Sequence, residues 1–166
     1  MLNDLKIGAK AEDQVKTFFE SKGFSCSKNS NKTERSFYDI LVTSGPAIDL
    51  LPIRLEVKHD VMAQKTGNVA IEFYNPKSCK HSGIGITKAD LWCHVMQGEI
   101  WAASVQSLKK FIDENPPDRT ITTGGDDNSS MYLYKKDTIL GPLMLKLNDL
   151  DDLEFIAWLS GQLADK

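Results

Sequence analysis

The chain has 166 residues, 41% hydrophobic and 26% charged, with a formal net charge of −3, which is the size and balance of one globular domain rather than of a disordered or fibrous chain. No apolar run approaches the roughly 18 to 20 residues that cross a bilayer, and Met1 to Lys10 lack the apolar stretch of a secretion signal. The expectation is a single domain over residues 1–166, cytoplasmic and without a membrane partner. Net acidity argues against a strongly basic, non-specific binder of nucleic acid, but the charge is uneven: up to Asp90, 13 Lys and Arg face 11 Asp and Glu, and from Leu91 onward 7 face 12.

In chain order, Ile7, Ala11, Val15, Phe18 and Phe19 recur at helical spacing and predict a helix from about Ile7 to Lys22, closed by Gly23. A polar stretch, Ser25 to Ser36, separates it from a short predicted strand, Phe37 to Val42, which Ser44-Gly45-Pro46 ends. Ile53 to Asp60 alternates cleanly, with Ile53, Leu55 and Val57 on one face and Arg54, Glu56, Lys58 and Asp60 on the other. Met62 to Thr66 suits a turn, and Gly67 to Tyr74 alternates again as a third strand, expected to pair with the second.

Asn75 to Ile86 reads as a loop. Thr87, with Asp90 three residues on, resembles a capping box opening a helix that buries Leu91, Trp92 and Val95 and stops at Gly98. A strand from Glu99 to Val105 and a helix from Gln106 to Glu114 follow, the latter ended by Pro116-Pro117. The remainder holds a Gly124–Ser130 loop, a strand at Met131 to Lys135 and an acidic helix from roughly Asp149 to Leu163. Cys26, Cys79 and Cys93 lack any zinc-binding spacing and read as reduced thiols.

One cluster carries chemistry. Hydrolysing a phosphodiester requires a water aimed at phosphorus and stabilisation of the added negative charge. A divalent cation supplies both when carboxylates hold it and leave positions open. Asp39 and Glu56, on neighbouring strands, are suited to one ion. Lys58 sits two residues past Glu56, on the same face and within about 7 Å along the strand; the Val57 carbonyl between them is a further hard oxygen. Glu72 faces the same way as Asn68 and could reach the site from the third strand, although an exposed strand carboxylate is the simpler account. Lys77, Lys80, His81 and Lys88, with Thr87 at its helix start, form a local basic island fit to contact DNA phosphates.

Tyr38-Asp39 followed by Glu56-Val57-Lys58 resembles the motif of the PD-(D/E)XK nuclease superfamily, with Tyr38 where the motif has proline. The resemblance covers Ile7 to about Val105 and implies an α/β fold. In it, a restriction-endonuclease-like αβββαβ core with a mixed central sheet occupies about residues 7–105, and a hairpin and helix elaboration occupies about 106–166. It implies a DNA endonuclease using Mg²⁺ or Mn²⁺, with Asp39 and Glu56 as ligands, Lys58 as the catalytic lysine and Glu12 as the extra acid that many members place on the first helix. The Thr66–Glu72 and Ser82–Asp90 segments look most like those of small phage or mobile-element endonucleases. Paired cuts in duplex DNA would suit a homodimer. The rival expectation is a catalytically silent DNA-binding or assembly module with the same fold.

Overall fold

In the computed structural model, which describes residues 2–31, 33–124 and 129–164, helix α1 (Leu2–Ser21) turns Ala11, Val15 and Phe19 into one buried stripe. Strands β1 (Ser25–Lys28), β2 (Ile40–Ser44) and β3 (Ile53–His59) follow, then a one-turn helix α2 (Ala63–Thr66) and strands β4 (Asn68–Asn75), β5 (Lys80–His81), β6 (Leu91–Met96) and β7 (Glu99–Ser104). Helix α3 (Val105–Glu114), strands β8 (Arg119–Gly124) and β9 (Ser129–Lys135), one-turn helix α4 (Lys136–Ile139), strand β10 (Leu145–Lys146) and helix α5 (Asp152–Gln162) complete the order.

The strands build two sheets, one in the order β1-β2-β3-β6-β7-β10 and one in the order β5-β4-β9-β8. The six-stranded sheet is mixed: β3 and β6 are parallel, whereas its other neighbours run antiparallel. Along β3, Ile53, Leu55 and Val57 enter a core shared with Val15 and Phe19 of α1 and Phe155 and Leu159 of α5. The opposite face meets a second core, where Trp92, Met96 and Ala103 pack with Val69 and Ile71 of β4, Leu108 of α3 and Tyr134 of β9. The central sheet is thus covered by helices on one side, and by the smaller sheet and α3 on the other.

Three expectations change. The helix predicted after Thr87 is strand β6. All six of its residues are buried, and a strand covered on both faces reads as an unbroken apolar run that periodicity does not separate from a buried helix. Asp90, taken as the capping acid, instead accepts from the Arg54 amide at 2.7 Å and ties the start of β6 to β3. The third predicted strand, β4, does not pair with β3 but enters the second sheet, between β5 and β9. Asp60 causes this turn: its carboxylate accepts from the amides of Met62, Ala63 and Ala70 at 3.0, 2.7 and 3.2 Å, folding the chain into α2 rather than a hairpin. Lastly, β1 lies inside the polar stretch, a half-exposed strand pairing with β2.

The predicted helix over Asp149–Leu163 is α5, started by a complete capping box between Asp151 and Glu154. The segment beyond 105 is no appendage, because β9 completes the second sheet, β10 joins the first and α5 fills the first core. Of the predicted Gly124–Ser130 loop, residues 125–128 lie outside the described residues. Among the described residues no helix is long and apolar enough to cross a membrane.

Gly83 and Gly85 let the segment before Thr87 lie against β4. A β-carbon at Gly83, where φ is +49°, would collide with the Glu72 carbonyl, and one at Gly85 would stand 2.7 Å from the Phe73 carbonyl oxygen. Gly83→Ala is expected to lose about 3 kcal/mol of stability in urea denaturation; a loss within 0.5 kcal/mol, the typical margin of a surface substitution, would show that this backbone approach is not tight.

Candidate active site

The site forms where β2 begins beside the middle of β3. Asp39 immediately precedes β2; its own amide donates to the Leu55 carbonyl at 2.8 Å, and its Oδ2 accepts from the Val57 amide at 2.7 Å. These two bonds fix Asp39 against the edge of β3. An extended residue sends its N–H and C=O to the same edge, so the Val57 carbonyl faces the side on which Asp39 lies. Glu56 is 5% exposed, on the face of β3 turned toward the second sheet. Its Oε1 meets the Lys58 ammonium at 2.6 Å, and its Oε2 accepts from the Thr87 hydroxyl at 3.0 Å.

The electrostatics show how closely these groups are gathered. The Asp39 carboxyl is pushed up to about 6, first by burial and then by the Glu56 carboxylate, with a smaller contribution from Glu12; the Val57 amide and Lys58 act against this. Burial works to lower the Lys58 ammonium, yet the Glu56 carboxylate, followed by Asp39 and Glu72, holds it above the usual lysine range. Its side chain keeps 30% of its surface exposed, so the ammonium lies at the mouth of the site rather than sealed within it. The ring of Trp92 lies 5.6 Å from it.

Asp39, Glu56, Val57 and Lys58, named from the sequence, are therefore brought together. Glu12 is within electrostatic reach of Asp39, but its carboxylate is engaged 3.3 Å from Lys28, which also pairs with Asp13 at 2.8 Å. Glu72 comes from the second sheet, half-buried, with its Oε1 accepting from Ser129 at 2.7 Å and its charge felt at Lys58. Asp60, on the charged face of the alternating segment, is nearly buried, and besides its three amides it faces His94 Nε2 at 3.2 Å.

The basic island divides. Lys77 lies exposed in the turn after β4; Lys80 and His81 form the exposed β5; Lys88 is exposed, with its ammonium 4.0 Å from the centre of the Phe37 ring. Thr87 is not at a helix start and not on the surface. It is 6% exposed, its hydroxyl turned inward to Glu56, so it is unavailable to a phosphate. Nothing in the local sequence announces the Thr87–Glu56 bond, since it joins residues 31 apart that only the sheet brings together.

The thiols of Cys26 and Cys93 are pushed up to about 11 and about 12, chiefly by burial, so neither supplies a thiolate nucleophile near neutral pH. Among the described residues no three His, Cys, Asp or Glu side chains converge as a cage for a metal ion. Two carboxylates and a backbone carbonyl do suit Mg²⁺, which takes one or two carboxylates and keeps water and substrate phosphate as its other ligands. No protein-family model matches the chain, and no curated protein or solved structure does.

The raised carboxyl of Asp39 carries a sign. The folded protein holds a proton that the unfolded chain releases between pH 3.8 and about 6, so ionising Asp39 costs stability as pH rises through that window. Asp39→Asn keeps an acceptor for the Val57 amide and removes that cost. In metal-free urea denaturation the variant is expected to gain on the wild type as pH rises, by up to about 3 kcal/mol at pH 7. A difference independent of pH would contradict a carboxyl raised by burial and by Glu56.

Proposed function

We propose that the protein is a Mg²⁺- or Mn²⁺-dependent endonuclease that hydrolyses DNA phosphodiester bonds at Asp39, Glu56 and Lys58. The observation that carries this reading is the buried Glu56 carboxylate, paired with the Lys58 ammonium, within electrostatic reach of the half-buried Asp39 carboxylate where β2 and β3 adjoin. The two carboxylates repel each other, and a divalent cation is the partner that reverses the sign of that interaction. Asp39, Glu56 and the Val57 carbonyl would hold it; when bound, it supplies an activated water and stabilises charge on phosphate.

The residues then have distinct tasks. The Val57 amide, donating to Oδ2 of Asp39, fixes that carboxylate and leaves Oδ1 as the oxygen that would serve a cation. Lys58, charged throughout the neutral range and at the mouth of the site, orients the water and offsets negative charge developing on the phosphate oxygens. Exposed Lys77, Lys80, His81 and Lys88 are suited to the DNA backbone, where Thr87 is not. The resemblance of Tyr38-Asp39 and Glu56-Val57-Lys58 to the PD-(D/E)XK motif supports the same reading. The topology agrees at the coarser level of a mixed α/β fold: a helix precedes three antiparallel strands, β1 to β3, and β6 lies parallel to β3, while the crossover between them holds the one-turn α2 with β4 and β5 in place of a full helix.

The test is incubation with labelled duplex, single-stranded, flap and four-way-junction DNA in Mg²⁺, Mn²⁺ or EDTA. Cleavage is expected with either metal, none with EDTA, and about a thousandfold less for Lys58→Ala, while Glu56→Ala is inactive. Undiminished cleavage by Lys58→Ala would remove the assignment. Salt-sensitive, metal-independent DNA binding without cleavage would establish the silent binding module instead.

A further inference from the structure

Thr87 makes three contacts through one oxygen. Its Oγ1 lies 3.1 Å from the Ala89 amide, 2.9 Å from the Phe37 carbonyl and 3.0 Å from Glu56 Oε2. The amide donates to it, which leaves one hydroxyl proton for two acceptors. Phe37 already accepts from the Lys88 amide at 2.9 Å, and an ionised carboxylate is the stronger acceptor; the proton therefore goes to Glu56.

Glu56 is left with two unlike oxygens. Oε2 is held by a buried, β-branched side chain that is itself anchored by Ala89. Oε1 is held by the ammonium of a long lysine whose side chain is 30% exposed.

We infer that Thr87 is a positioning residue for the metal site: it fixes Glu56 through Oε2 so that Oε1 is the oxygen offered to the cation. The inference rests on the metal-site reading above and adds to it a residue on neither motif strand. Removing the hydroxyl leaves a buried carboxylate oxygen without its donor and the side chain free to turn away.

The full-length wild type is compared with Thr87→Val, which keeps the shape and loses the hydroxyl, and Thr87→Ser, which keeps the hydroxyl. Thr87→Ala stands in should the valine variant not fold. Mn²⁺ binding is measured by calorimetry, and cleavage as a function of Mg²⁺ concentration. Thr87→Val is expected to bind Mn²⁺ about 10- to 100-fold more weakly and to need correspondingly more Mg²⁺ for half-maximal rate, with Thr87→Ser within about threefold of the wild type. Wild-type Mn²⁺ affinity in Thr87→Val overturns the inference, even if kcat falls, because a merely structural residue gives that pattern. Equal weakening in Thr87→Ser overturns it as well. A wild type that binds no Mn²⁺ removes the metal-site reading and this inference together, an outcome distinct from the other two.

Discussion

A carboxylate with 5% of its surface exposed sets the terms for everything around it. Glu56 is tolerated on the inner face of β3 because both its oxygens are engaged, one by an ammonium and one by a hydroxyl; a buried charge without such partners would cost several kcal/mol. Each partner places a demand on the fold. Lys58 must lie one alternation further along the same strand, and Thr87 must arrive from the far end of the crossover. Asp39, forced close by its bond to the Val57 amide, raises the local cost again. The site is thus held in an electrostatically unfavourable arrangement by hydrogen bonds that the sheet supplies.

How much of this the sequence discloses depends on what each residue faces. β3 is legible because one of its faces is core and the other is chemistry, so its alternation is plain and Glu56 and Lys58 stand out. Asp39 is legible by its place before a short strand. β6 is not, because both of its faces are buried and its periodicity vanishes, and the Thr87 and Asp90 spacing then imitates a helix cap. β1 hides for the opposite reason: its residues are too polar to show a pattern. The partnership of β4 is set by Asp60, whose three amide bonds depend on a turn that only the folded chain contains. The side chains most plainly readable are those whose neighbours lie within two residues on the same strand.

The second sheet gives the site its far wall. Glu72 on β4 contributes charge at Lys58, and Gly83 and Gly85 bring the chain against β4 just before it delivers Thr87. The helix-covered face of the central sheet, by contrast, is filled by the apolar side chains of the first core. One face maintains the geometry and the other spends it on polar and charged groups, the division expected when a site is mounted on a rigid scaffold.

The parallel pairing of β3 with β6 also orders events in time. Antiparallel strands close through a short turn, whereas a parallel neighbour waits for the whole intervening crossover. Here that crossover runs from Asp60 to Asp90 and includes α2, β4 and β5. Asp39, Glu56 and Lys58 are all present in a chain emerging from the ribosome long before β6 docks and Thr87 reaches Glu56. By this order the Thr87 hydroxyl reaches Glu56 after Asp39 has met β3, and a chain interrupted before Thr87 holds both carboxylates and Lys58 without the hydroxyl that binds Glu56 Oε2.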